Sequence, residues 1–87
     1  MEWYEIVFEL LEDDMIKSCG CDGLLDAYNS LNGLLGMCEL IGLTDEFILK
    51  VINASIDARN RYCSLNGAEK LSHVIIKNGE YEYDNNN

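Results

Sequence analysis

The residues able to do chemistry in this chain are cysteines at 19, 21, 38 and 63, a single histidine at 73, and a large excess of carboxylates. Four thiolates would suit tetrahedral zinc. Structural zinc sites, however, usually separate paired cysteines by about two to four residues, whereas Cys19 and Cys21 have only Asp-free Gly20 between them, and Cys38 and Cys63 fall inside apolar helical patterns. There a thiol acts as a small hydrophobe, so the expectation is inert thiols and no metal. Asp13, Asp14, Asp22 and Asp26 bracket a glycine-containing turn, but no register places acids at alternate positions followed by glycine and a closing glutamate, which excludes an EF-hand loop. A serine or cysteine nucleophile would need His73 as its base, with Asp84 opposite, in a segment that reads as strand. That is a poor basis for hydrolysis, and His73 reads as a surface residue. Gly33, Gly36 and Gly42 lie in or after a helix rather than after a strand, so no phosphate loop is present. No catalytic residue and no cofactor is expected.

The carboxylates are the outstanding feature. Sixteen acidic residues against six basic ones give a net charge of −10. Residues 1–57 hold twelve of the acids with only Lys17 and Lys50, a net of −10. Residues 58–87 hold four acids (Glu69, Glu80, Glu82, Asp84) and four bases (Arg59, Arg61, Lys70, Lys77), a net of zero. Such a field repels nucleic acid and anionic membrane and steers toward basic partners.

These groups must be positioned by local structure. From Glu2 to Lys17, Trp3, Val7 and Leu10, with Tyr4, Phe8, Leu11 and Met15, recur at helical steps, while Glu2, Glu5, Glu9 and Glu12 fall on the other side. A strand competes here, because Tyr4, Ile6, Phe8 and Leu10 also alternate. The acidic periodicity and the Leu10-Leu11 pair favour helix. After the Ser18–Gly23 turn, Leu24, Tyr28, Leu31, Leu35 and Cys38 keep helical spacing from about 22 to 41, with Asp22 as a cap for the first turn. Gly33 and Gly36 weaken that helix, and close packing is the expected reason for them. Gly42-Leu43-Thr44 ends one helix and starts the next: Gly42 suits a left-handed residue, Leu43 an apolar contact, and Thr44 an N-cap. The third helix, about 45–64, presents Phe47, Ile48, Val51, Ile52, Ser55, Ala58 and Tyr62 on one face, so it forms an antiparallel helical hairpin with the second. The last segment reads as a β-hairpin of about 72–77 and 80–84 around Asn78-Gly79, pairing Lys77 with Glu80, Ile76 with Tyr81 and Val74 with Tyr83. Ala68, Leu71, Val74 and Ile75 also keep helical spacing, but a helix there strands Tyr81 and Tyr83 in a tail.

The expected architecture is therefore one small, mainly α domain: three helices closed by a short carboxy-terminal β-hairpin. Its 87 residues suit one domain, and 48% apolar with 25% charged residues suit a globular chain. No apolar run approaches the roughly 18 residues of a membrane span. Met1-Glu2-Trp3-Tyr4-Glu5 is acidic where a signal peptide is basic, so a cytoplasmic location with free thiols is expected.

The helix-turn-helix reading of the second and third segments fails on charge, since Lys50, Arg59 and Arg61 are offset by Asp45, Glu46 and Asp57. What remains is a binding surface: Glu2, Glu5, Glu9, Glu12 and Asp13, continued by Asp14, Asp22 and Asp26. Acids every three to four helical residues advance roughly 5 Å each, comparable with one phosphate every 3.4 Å along a DNA strand. The expected function is a non-catalytic module that docks this face on a basic, nucleic-acid-handling surface of a partner protein, without binding nucleic acid or membrane itself. The alternative is an assembly module that self-associates as a homodimer through Trp3, Tyr4, Val7 and Phe8, with the acids serving solubility.

Overall fold

The computed structural model describes residues 2–17, 20–65, 67 and 69–84. Cys19, the Ser18 end of the expected turn, Asn66, Ala68 and the tail 85–87 lie outside the described residues, as does the side chain of Cys21. The chain is mainly helical, in the order α1 (Trp3–Lys17), α2 (Cys21–Ile41), α3 (Asp45–Leu65), β1 (Val74–Lys77) and β2 (Glu80–Tyr83). Residues 3–17 are thus helix rather than strand, and the carboxy-terminal segment is a hairpin rather than a helix. No helix among the described residues is long and apolar enough to cross a membrane.

The turn between α2 and α3 is built as its sequence demands. Gly42 adopts φ 73°, ψ 42°, a left-handed conformation that costs a residue with a Cβ roughly 1 kcal/mol or more. The Leu43 amide then reaches back to the Cys38 carbonyl at 3.1 Å, and Leu43 packs against the core. Thr44 Oγ1 accepts the Phe47 amide at 3.4 Å, and Asp45 and Glu46 lie in the first turn, against the positive end of the helix dipole. α2 begins one residue earlier than expected, after Gly20, and has no side-chain cap; Asp22 lies inside its first turn instead. At the hairpin, Asn78 and Gly79 take φ of 54° and 80°, both positive as a type I′ turn requires. The register pairs Val74 with Tyr83, Ile76 with Tyr81 and Lys77 with Glu80, as anticipated.

The core lies chiefly between α2 and α3, where Leu24, Leu31, Cys38, Val51 and Ala58 are fully buried. Tyr4, Val7, Phe8, Leu11 and Met15 of α1 close it from one side. The molecule measures 34 × 32 × 18 Å, so the core is thin. Buried Ser55 is satisfied locally, its hydroxyl donating to the Ile52 carbonyl at 2.7 Å. Gly33 and Gly36 do not serve close packing. A Cβ on either would meet no atom within 4 Å, because both are exposed on the surface of α2.

The hairpin is held to α3 by polar side chains rather than by a broad apolar face. The Asn53 side chain accepts the Val74 amide at 2.7 Å and donates to the Val74 carbonyl at 3.0 Å. Asn60 does the same for Leu71, both bonds being 2.7 Å. Each carboxamide thus imitates a neighbouring strand. The geometry repeats because seven helical residues rise about 10.5 Å, and three extended residues span about 10 Å. Between them, the His73 Nε2–H donates to Asp57 Oδ1 at 2.5 Å. Further along, Arg59 donates to the Glu69 carbonyl at 3.4 Å, and the Tyr81 hydroxyl donates to Asp45 Oδ1 at 3.1 Å. Ile56, between the two asparagines on this face, is buried, as is Val74.

Two predictions follow from this packing. Gly33→Ala and Gly36→Ala each gain helix propensity in open space, so each should stabilise the fold by about 1 kcal/mol in a urea denaturation series. Unchanged or lower midpoints would show that these glycines have a packing role after all. Asn53→Ala and Asn60→Ala each remove two hydrogen bonds and should cost about 1–3 kcal/mol. Native-state hydrogen exchange should show the loss concentrated at the Val74 and Leu71 amides respectively, with α2 and α3 still protected. Loss of protection throughout α3 would mean that the hairpin is integral to the main core.

Candidate functional site

Two stripes run along α1, each at helical spacing, and the structure decides which faces inward. Tyr4, Val7, Phe8, Leu11 and Met15 pack against the core, with Phe8 and Met15 buried. Of the four residues expected to self-associate, Tyr4, Val7 and Phe8 are therefore occupied within the protomer, and only Trp3 is exposed. Aromatic contacts fix this choice. The ring of Tyr4 meets Phe47 edge-on at 5.0 Å, and Phe8 meets the same ring at 5.6 Å. Trp3, Ile6 and Leu10 form the outward stripe, 47%, 46% and 61% exposed.

The carboxylates of Glu2, Glu5, Glu9, Glu12 and Asp13 occupy an arc of about 100° on α1, at 100° per residue. The inner part of this arc borders a groove. α1 packs chiefly on α2 and touches α3 at few points, so α1 and α3 diverge around a volume of about 550 Å³. Glu5, Glu9 and Glu12 line its α1 wall; Lys50, Asn53 and Asp57 line the α3 wall; Phe8, Phe47, Leu49 and Ala54 supply the apolar surface. Glu5 and Glu12 are half-buried, and the carboxylates of Glu5, Glu9 and Glu12 have no hydrogen-bond or ion-pair partner among the described residues. Four acids and Lys50 leave the groove lining at −3. A half-buried carboxylate without a partner favours a cation placed beside it.

The other acids lie elsewhere. Asp14 and Asp26 border a smaller cleft of about 350 Å³ between α1 and α2, together with Lys17. Asp22 is exposed in the first turn of α2, and Asp13 and Glu2 are exposed outside the groove. The expected acidic surface is therefore divided: Asp14 and Asp26 share the smaller cleft, and Glu5, Glu9 and Glu12 the larger groove. Asp57 joins them from α3, a member the sequence pattern did not single out. Its i, i+4 spacing from Asn53 was visible, but its place beside α1 depends on how the two helices pack.

The bases that could offset this charge are largely engaged inside the fold. Arg61 donates to the Met15 and Ile16 carbonyls, covering the negative end of the α1 dipole. Arg59 binds Asn60 and the Glu69 carbonyl, and His73 binds Asp57 rather than facing Asp84 with its side chain. The Asp84 amide instead donates to the His73 carbonyl at 2.7 Å.

The described thiols are placed apart. Cys38 is fully buried near the α2–α3 turn, whereas Cys63 is half-buried at the far end of α3 beside Leu25, Tyr28 and Tyr62. In the antiparallel hairpin about fifteen helical steps of 1.5 Å, roughly 22 Å, separate them, so they cannot bind one ion. Among the described residues no group of three or more His, Cys, Asp and Glu side chains is arranged to hold a metal. No family model, curated protein or solved structure matches the chain.

Burial, aided by the nearby Glu39 carboxylate, pushes the Cys38 thiol above its ordinary value of 9.0. The native state thus retains this proton where the unfolded chain has lost it. Stability linked to Cys38 is intact below pH 9 and declines as pH rises toward the raised native value. In a variant with serine at positions 19, 21 and 63, the remaining thiol should react with an aromatic disulfide reagent only as fast as the protein opens. The loss of stability between pH 8 and pH 10 should be smaller once Cys38→Ala is added. Immediate reaction of the native thiol would place Cys38 at the surface.

Proposed function

We propose that this chain is a non-catalytic binding module that docks the acidic side of α1 on a basic, nucleic-acid-handling surface of a partner protein, and that it inhibits or regulates that partner. The observation that supports this reading is the convergence of Glu5, Glu9 and Glu12, two of them half-buried, around a groove whose lining contains Lys50 as its one basic residue. Carboxylates left in this state are stabilised when a partner brings lysine or arginine to them. Glu5, Glu9 and Glu12 also advance along α1 by about 4.5–6 Å per step, the same order as the roughly 3.4 Å axial step of phosphates on one nucleic-acid strand. A surface evolved to track phosphates can therefore track this helix. The uneven charge of the chain adds long-range steering toward such a surface.

A second reading is self-association. It is favoured by the outward stripe of Trp3, Ile6 and Leu10, which differs from the expected set in its inner members. In that reading the acids keep an assembling protein soluble.

One variant separates the two. Glu2→Gln, Glu5→Gln, Glu9→Gln and Glu12→Gln together preserve size and leave the core untouched. Partners captured from the native host by the parent protein should bind this variant at least tenfold more weakly, about 1.4 kcal/mol. Most of the loss should appear in the association rate, and added salt should weaken the parent far more than the variant. Equal affinity at low and high salt would exclude the acidic docking mode. A dimer in sedimentation velocity that Leu10→Lys disperses would support self-association instead.

A further inference from the structure

We propose that the α1–α3 groove is the receiving site for about two turns of a basic amphipathic helix contributed by the partner protein. This rests on the acidic docking reading and makes it specific: the contact is a cleft with an apolar floor, not only the convex side of α1. Length sets the first condition. From Glu5 to Glu12, and from Lys50 to Asp57, the walls run seven residues each, about 10.5 Å, which is two turns of an inserted helix. Surface chemistry sets the second. Phe47 and Leu49, both partly exposed, offer apolar contact at the bottom beside the buried Phe8 and Ala54, which suits an inserted leucine or methionine. Charge sets the third. Glu5, Glu9 and Glu12 line the α1 wall without partners among the described residues, so the bound helix must present lysine or arginine along that flank. On the opposite wall Lys50 and Asp57 offset each other, so the bound helix needs no net charge along that flank. Amphipathic helices entering grooves in this way are recognised through residues at i, i+3, i+4 and i+7.

A second copy of this chain does not meet these conditions. α1 and α2 carry Lys17 as their one base, and in α3 Lys50 lies in the groove wall itself while Arg59 and Arg61 are engaged with Glu69, Asn60 and the end of α1. The groove therefore discriminates against self and for a basic partner.

The test uses the full chain and a labelled eighteen-residue peptide of leucine, alanine and lysine, patterned as an amphipathic helix. A control peptide has the same composition in an order that removes the apolar stripe. Fluorescence anisotropy at low salt should show the patterned peptide binding at least tenfold more tightly than its control. Lys50→Glu, which lies on α3 and outside the α1 surface, should tighten binding at least threefold. Glu9→Lys, on the opposite wall, should weaken it at least tenfold. Circular dichroism and thermal melting establish that both exposed-site variants remain folded. Salt-sensitive binding of both peptides with equal affinity, or an unchanged affinity in Lys50→Glu, would overturn the groove and leave acidic docking standing. Absence of binding by either peptide would overturn both. A concentration-dependent dimer that the patterned peptide dissolves would show that the occupant is a second copy, and would overturn the proposal equally.

Discussion

α3 has to be covered from three directions, and no one neighbour is large enough to cover it alone. Its α2 side is a dry seam in which Leu31, Cys38, Val51 and Ala58 are fully excluded from water. Small residues at Ala54 and Ala58 let the neighbouring helices approach, and the long side chains come from α1 and α2. Its second side meets α1 through an aromatic cluster that joins Tyr4 and Phe8 to Phe47. Its third side takes the hairpin. A molecule 18 Å thick cannot bury three broad apolar faces, so the third contact is made with amides and carboxylates around a small apolar patch at Ile56 and Val74. The gap that α1 and the hairpin leave over α3 is where the groove lies.

That division explains what could be read from the residues alone. Helix boundaries and the helical hairpin were legible because their determinants are local: Gly42 takes a positive φ, Thr44 caps, and Asn78-Gly79 forms a type I′ turn. Strand register was legible for the same reason, since a two-residue turn fixes which residues face each other. The clamps of Asn53 and Asn60 were not. Their partners are the backbone atoms of Val74 and Leu71, and a backbone amide carries no side-chain signature. An asparagine at i and i+7 of a helix looks like any solvated pair until an extended segment lies beside it. The inward stripe of α1 was ambiguous for a different reason. Trp3, Ile6 and Leu10 repeat with the same period as Tyr4, Phe8 and Leu11, and only the rings of α3 distinguish the two. Gly33 and Gly36 were misread because a glycine that permits close approach and one that simply faces solvent look alike in a sequence.

The charge distribution and the packing are linked through the way the bases are used. Arg61 ties α3 to the carboxy-terminal end of α1, Arg59 ties α3 to the segment before the hairpin, and His73 ties that segment back to Asp57. Each of these groups acts at short range, against carbonyls or a carboxylate within the fold, through directional hydrogen bonds. None of the three lines the groove beside Glu5, Glu9 and Glu12. A chain that used its arginines to neutralise α1 would lose the connections that hold its last third in place. The present arrangement keeps those connections and leaves Glu5, Glu9 and Glu12 without a hydrogen-bond or ion-pair partner among the described residues. Mutual repulsion among them disfavours the compact state. Their positions on an exposed or half-buried helix face, with water reaching most of them, keep that cost small. A bound cation would convert the same repulsion into attraction. In the proposed docking mode, the acidic groove would be tolerable in the free protein and would become more favourable once a basic segment filled it.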